Sequence, residues 1–262
     1  MQNARLPRVL VLVLSIDQLP WTQMEDAQRE TWVRDCPEGV SVLYYRAHSP
    51  LGIDERLRHR LATLLLRLQL KFRWGVSRAL DRVQLDGDIL QFPALHESIP
   101  NTAVKLRAAL QWALQNSDFD YVFRTNSSSY IDLQRLMDYV LHAQTKGLYA
   151  GHSGIHGELP YVSGIGILMS RDVVETMCSG DNLLVSLVDD IALAQVARRE
   201  ALSIVGLDRV LCSDAAYVSE LPDEEFRASF IYRCSASVGR GETISATMHA
   251  IDVRLGRTVE WH

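Results

Sequence analysis

The chain has 262 residues, with 27 Lys and Arg against 32 Asp and Glu and a net charge of −5. That length buries most of its apolar surface without staples, as one large α/β domain or two tightly joined lobes, and a pI of about 5.9 gives no global attraction to nucleic acid. Cys36, Cys178, Cys212 and Cys234 are widely spaced, without a Cys-x-x-Cys pair or zinc-finger histidine spacing. No disulfide framework is needed and no structural zinc is expected, which leaves buried or indifferent thiols.

The first apolar run, Val9 to Leu14, is too short for a membrane span and short for a signal-peptide core. It reads as the first strand, and no other segment is long and apolar enough to span. A charged helical turn from Asp26 to Arg34, with Trp32 and Val33 on one side, precedes a second strand from Val40 to Tyr45. Residues 54 to 84 read as one long helical region broken near Trp74-Gly75, a basic island with Leu57, Leu61, Leu64, Leu65, Leu68 and Phe72 as its apolar stripe. Arg56, Arg58, Arg60, Arg67, Lys71, Arg73, Arg78 and Arg82 face Asp54, Glu55 and Asp81 there. A solvated face on a core-packed helix is the plainer account; peripheral contact with an anionic membrane, or with DNA, through 56–82 is the other.

Thr102 to Gln115 carries Val104, Leu106, Ala109, Leu110 and Ala113 near a helical stripe. A strand from Tyr121 to Arg124 and a helix from Asp132 to Ala143 follow, then strands at Leu148 to Gly151 and Gly166 to Met169 and a helix from Arg171 to Met177. Pro222-Asp223-Glu224-Glu225 reads as a surface loop, and the tail carries Phe230-Ile231-Tyr232, a Gly239-Arg240-Gly241 turn and a mixed segment from Ile244 to Leu255. Strands alternating with helices predict a mostly parallel, layered α/β sheet in one domain spanning 1–262, with 54–84 as an insertion and 222–262 as a C-terminal segment.

The most informative stretch is Asp118 to Leu136. The strand breaks into Arg124-Thr125-Asn126-Ser127-Ser128-Ser129, followed by Tyr130-Ile131-Asp132-Leu133. Small polar residues at the carboxyl end of a strand lie where α/β sheets bind ligands, although Ser and Asn also make ordinary loops. This stretch resembles the strand, triple-Asp or Asp-x-Asp motif and apolar residues of the β1,3-galactosyltransferase and fringe-like glycosyltransferases, with Asn126-Ser127-Ser128 at the acidic positions. Four further pieces resemble that family, in its order, over roughly residues 8 to 215. Arg29-Glu30-Thr31-Trp32 is similar to its Arg-x-Thr-Trp motif; Asp88-Ile89-Leu90 through Glu97-Ser98, Asn101 and Lys105 is similar to its Asp-Ile-Leu to Lys-Thr series. Tyr161-Val162-Ser163-Gly164-Ile165-Gly166 through Leu168-Met169-Ser170-Arg171 resembles its Tyr-x-x-Gly-Gly-Gly and Leu-Ser-Arg segment, and Asp189-Asp190-Ile191 its Glu-Asp-Val motif.

The resemblance implies a GT-A-like layered sheet with a Rossmann-like nucleotide-binding half. It implies transfer of a sugar from a nucleotide-sugar donor, a UDP-sugar by family analogy, to a hydroxyl of a glycan or glycolipid by inverting single displacement. Asp190, with Asp189 beside it, falls on the family's base, although two carboxylates at a helix start also suit the macrodipole and the cap. Arg29, Lys105, Arg124, Asn126, Ser127 and Ser128 are the donor-binding candidates. Tyr161, Ser163 and Gly164 form a sugar or acceptor loop, where glycine permits close approach or makes a tight turn. His249 is a diphosphate candidate, and Trp32 is assigned to the core. Family members hold Mn²⁺ on their aspartates; Asn126, Ser127 and Ser128 carry no charge, so the expectation is no metal, with Arg29, Lys105 and Arg124 as the cations on the diphosphate. Without the membrane anchor of the animal members, the expected location is cytoplasmic, or peripheral to a membrane. A phage-type transferase acting on modified DNA and a silent sugar-nucleotide or glycan-binding module are the competing readings.

Overall fold

The computed structural model describes residues 5–48, 80, 82–97, 101–179 and 188–257. Most of the basic stretch at 54–84, and Ser98, therefore lie outside the described residues. The core strand β1 (Val9–Leu14) is an unbroken Val/Leu run buried almost throughout. Its side chains alternate between two apolar clusters: Val9, Val11 and Val13 face one, Leu10 and Leu12 the other. A strand buried on both faces needs this continuous apolar pattern rather than alternation with polar residues.

β1 is flanked in parallel by β2 (Val40–His48) and β5 (Tyr121–Asn126). The remaining strands are β3 (Gln84–Asp86), β4 (Ile89–His96), β7 (Tyr149–His156), β8 (Leu159–Ser170) and β9 (Ile204–Gly206), which complete an eight-stranded sheet in the order β3-β4-β2-β1-β5-β8-β7-β9. Only β3 and β8 run against the others. The chain is thus a mixed α/β protein with a mostly parallel sheet, as the alternating pattern predicts.

Helices cover both faces. On one side, α1 (Trp21–Glu30), α3 (Leu133–Val140) and α8 (Arg240–Arg254) bury Met24, Leu136 and Met248 in the first cluster. On the other, α2 (Thr102–Asn116), α4 (Arg171–Cys178) and α5 (Asp189–Arg199) bury Leu106, Val174 and Leu193 in the second. Between α5 and α8 lie the short helices α6 (Ala215–Glu220) and α7 (Asp223–Phe226). A second sheet joins β10 (Val210–Cys212), β11 (Ile231–Cys234) and β6 (Ser129–Ile131) in the order β10-β11-β6. It approaches the main sheet at Gly166, where a Cβ would stand 2.8 Å from Ile231 Cδ1 and from Phe123 Cζ.

Several boundaries move. The helix expected from Asp26 starts at Trp21 and ends at Glu30, so Trp32 leaves it to enter the core at 1% exposure. The strand expected from Gly166 extends back to Leu159, so Tyr161-Val162-Ser163-Gly164 is strand, not loop. Pairing with β7 supplies the backbone partners that a glycine-bearing segment does not advertise in its pattern. The acidic 222–225 run is mainly the helix α7, pinned by buried Phe226, and Ile244 to Leu255 falls within or directly beyond α8. β10 and β11 are too short to show a period in sequence. All four cysteines are free; Cys212 and Cys234 are buried neighbours in parallel register, and Cys36 is exposed.

Candidate functional site

Because β1, β2, β4 and β5 are parallel, their carboxyl ends share one edge of the sheet, the edge at which α/β sheets bind ligands. Polar side chains concentrate there. At the end of β4, Glu97 accepts from Ala47 N at 2.6 Å and from Lys105 Nζ at 2.7 and 2.8 Å. Lys105 rises from the first turn of α2, is 1% exposed, and also donates to Ser15 O at 3.3 Å. Burial pushes this ammonium below the usual lysine range, against the pull of Glu97.

Tyr45 lies between that pair and the next. Its ring centroid is 5.8 Å from Lys105 Nζ, and its hydroxyl accepts from Arg124 Nε at 3.3 Å. Arg124, on β5, is 2% exposed and donates to the Asp189 carboxylate and to Gly164 O. An Ala at 164 would drive its methyl into the Arg124 guanidinium, so this glycine makes room for arginine. The close approach expected there of a sugar is made by a side chain of the protein, because a buried guanidinium must find acceptors wherever the backbone lets it near.

Gly164 is also the joint of the site. Its N–H donates to Asp190 Oδ2 at 3.2 Å, and its carbonyl accepts from Asn126 Nδ2 at 3.4 Å as well as from Arg124. Asp189 and Asp190 occupy the first turn of α5, where the helix dipole favours negative charge, and Asp190 Oδ1 accepts from the first-turn Ile191 N–H at 2.8 Å. Asp189 is buried at 3% exposure against Arg124. Asp190 is half-buried, and burial first, then the charge of Asp189, raises its carboxyl above the ordinary range.

Asn126 ends β5 rather than lying in a free loop, and Ser127-Ser128 turns the chain into β6 before the helix. The Asn126 Oδ1 accepts from Ser128 N at 3.1 Å, Ser128 Oγ at 2.9 Å, Ser129 Oγ at 3.0 Å and Arg233 Nη1 at 3.3 Å. Gln28 Nε2 closes the turn from α1, donating to Asn126 O at 3.1 Å and Ser129 O at 2.8 Å. Arg233, from β11, also donates to Ser128 Oγ. It is half-buried and, among the described residues, has no carboxylate within ion-pair reach. Burial, with the charges of Arg240, Arg209 and Arg124, depresses its pKa.

These residues do not fit a divalent metal. The Asn126 amide oxygen already accepts four hydrogen bonds, and the Arg233 guanidinium occupies the space beside it. Among the described residues, no group of three or more His, Cys, Asp and Glu could hold a metal ion. A hard cation would meet a saturated neutral acceptor and a fixed positive charge.

The three cations expected on the diphosphate are otherwise engaged. Arg29 pairs with Glu25 at 2.9 Å and with Asp88, and lies 4.3 Å over the Tyr44 ring; Lys105 belongs to Glu97 and Arg124 to Asp189. Glu25 in turn accepts from Ser15 Oγ and from Arg46 at 2.5 Å. Burial would raise Glu25, but the hydrogen bonds from Arg46, Ser15 and Arg29 outweigh it and hold the carboxyl below the usual range. His249 is exposed on α8, 3.2 Å from Glu30, and not bonded to the Asn126 turn. Tyr161 packs over Gly154 across the β7/β8 pair, and Ser163 precedes Gly164 on β8.

Sequence reasoning missed Arg233. The signal was present: a charged residue within the apolar run Phe230-Ile231-Tyr232-Arg233-Cys234, where burial of an arginine demands a reason. Two surface hollows of about 470 and 430 Å³ lie over α3 and near β9, and neither is lined by Asn126, Ser128, Asp190 or Arg233.

The sequence matches no protein-family model and no curated protein. Among solved structures, the chain is similar to a glycosyltransferase involved in glycosylating the major capsid of PBCV-1, at TM-score 0.44 and 12% identity, covering 93% of this chain and 99% of that one. It is similar to the bifunctional glycosyltransferase WbbM at 0.45 and 9%, covering 98% of this chain and 53% of that one. It is also similar to the galactosyltransferase LgtC, solved with donor and acceptor sugar analogs, at 0.41 and 8%, covering 97% and 98%. At these scores and identities the likeness assigns no residue, ligand or reaction to this chain.

Proposed function

We propose that this chain is a glycosyltransferase that moves a sugar from a nucleotide-sugar donor, a UDP-sugar, to a hydroxyl of a glycan or glycolipid, with Asp190 as the base and no metal on the diphosphate. One observation carries the reading: Gly164 holds Asp190 by its N–H and the Asn126 turn by its carbonyl, so a carboxylate and a polar strand-end turn share one joint. The order of the family-like segments along the chain agrees with it.

In the reaction the acceptor oxygen attacks the anomeric carbon from the face opposite the diphosphate. Asp190 removes the hydroxyl proton as the new C–O bond forms. The bond to the diphosphate oxygen breaks and its electron pair leaves with that oxygen. A raised carboxyl is a stronger base than an ordinary aspartate, and its Gly164 contact fixes its direction. Arg124 and Asp189 do not meet the substrate in this scheme; they position Gly164 and the start of α5.

The test is nucleotide release from UDP-, GDP-, CMP- and dTDP-sugars with glycan and glycolipid acceptors, with EDTA and with Mn²⁺. Turnover of one donor in EDTA is expected, and Asp190→Asn should reduce it roughly 10²- to 10⁴-fold while donor binding persists. Full activity in that variant would remove Asp190 as the base; donor binding without turnover would leave a binding module. Transfer to modified DNA rested on the basic 56–82 stretch, and nothing among the described residues favours it.

A further inference from the structure

We infer that Arg233, held by Ser128 and Asn126, forms a fixed anion site for a diphosphate and takes the place of a divalent metal at the end of β5. The inference deepens the transferase reading and rests on it for the identity of the anion.

The argument starts from the cost of an unpaired charge. A guanidinium taken partly out of water is stabilised by a carboxylate or by neutral acceptors on both arms of its fork, as in Arg135, and one with neither keeps an open side for an anion. Lys105, Arg124 and Arg29 each have the carboxylate. Arg233 instead has an amide oxygen at 3.3 Å and the Ser128 hydroxyl, both neutral. Among the described residues those two contacts engage Nη1 alone, leaving the other donors of the fork for a ligand.

The surroundings add charge of the same sign. Arg240 and Arg209 act on Arg233 electrostatically, and among the described residues neither forms an ion pair. Arg240 begins α8, whose N-cap is Gly239 and whose first turn also carries Glu242, and stands 5.9 Å from the Trp21 ring. Like charges that lack ion pairs among the described residues repel one another in the empty protein and are relieved by a polyanion.

Ser128 also fixes the site in space. Its carbonyl accepts from Cys234 N at 3.0 Å, and Ser129 is the register partner of Arg233, so β6 and β11 carry the turn and the arginine as one rigid unit. A cation mounted on paired strands is in place before the ligand arrives.

The experiment is calorimetric titration of inorganic pyrophosphate, UDP and UMP into the whole chain in EDTA, then in Mn²⁺, for the wild type, Arg233→Gln and Arg240→Gln. Metal-free binding of pyrophosphate and UDP is expected, with UDP tighter than UMP. Arg233→Gln should lose about tenfold to hundredfold in pyrophosphate and UDP affinity and much less for UMP. Arg240→Gln should lose less, with the loss shrinking as salt rises. The melting temperature of Arg233→Gln should be equal to or above that of the wild type, which separates lost binding from lost folding.

Wild type that binds neither anion in EDTA, or Arg233→Gln that binds both as the wild type does, would overturn the site. Arg233-dependent anion binding without any sugar turnover would keep the site and sink the transferase reading. Turnover undiminished in Arg233→Gln would do the reverse.

Discussion

Arg124 and Arg233 flank the same Asn126 turn, one from the main sheet and one from the small one, and they are electrostatic opposites. Arg124 is 2% exposed and bound to Asp189, Gly164 and Tyr45; its charge is consumed in holding the sheet edge together. Arg233 reaches the turn from a short strand, meets only neutral oxygens among the described residues, and feels the charges of Arg240, Arg209 and Arg124. Their difference shows that a cation near a candidate site is informative through its partners. A paired, buried arginine builds the site; an unpaired one is left to act on a ligand.

The sharpest way to break this comparison is to remove the carboxylate that separates the two. Asp189→Asn would leave Arg124 buried and uncompensated, and should cost about 3–5 kcal/mol in chemical denaturation. A loss below 1 kcal/mol would mean that Arg124 does not depend on its partner. Gly164→Ala should follow at roughly 1–3 kcal/mol, since the added methyl displaces the guanidinium from its acceptors.

The smallest effect has the opposite sign. The folded protein raises the Asp190 carboxyl above its ordinary 3.8, so the unfolded chain gives up that proton first and stability falls as pH rises beyond 3.8. Asp190→Asn carries no such penalty. It should melt higher than the wild type at neutral pH, with the gap closing as pH falls to the ordinary carboxylate range, while transfer is lost. A variant less stable at neutral pH would show that the Gly164 contact outweighs the burial of charge. Arg233→Gln, by contrast, should leave folding stability unreduced, as in the binding experiment.

Part of the site was legible from residues alone. Asn126-Ser127-Ser128 at the end of an apolar strand and the Asp189-Asp190 pair at a helix start are local patterns, and both lie at the edge where the parallel strands end. Trp32 was legible as core for the same reason, a large apolar ring beside a charged helical turn. Arg29, Lys105 and Arg124 read in sequence as available cations, but which carboxylates each one meets was not legible there. Asp189 is 65 residues from Arg124, and Asp88 is 59 from Arg29. Gly164 was legible as a place of close approach, but not which group would approach it.

What the sequence by itself determined was the alternation of buried strands and amphipathic helices, and with it the layered sheet and the edge that gathers polar residues. Those follow from periodicity, which acts over a few residues. Only the tertiary structure decided which charges are neutralised. Ion pairing depends on distances of a few ångströms between segments far apart in the chain, and burial sets its strength. Arg124 and Arg233 are the same residue type in sequence, each following an aromatic residue in an apolar strand. Folding gives one of them an aspartate and the other a serine.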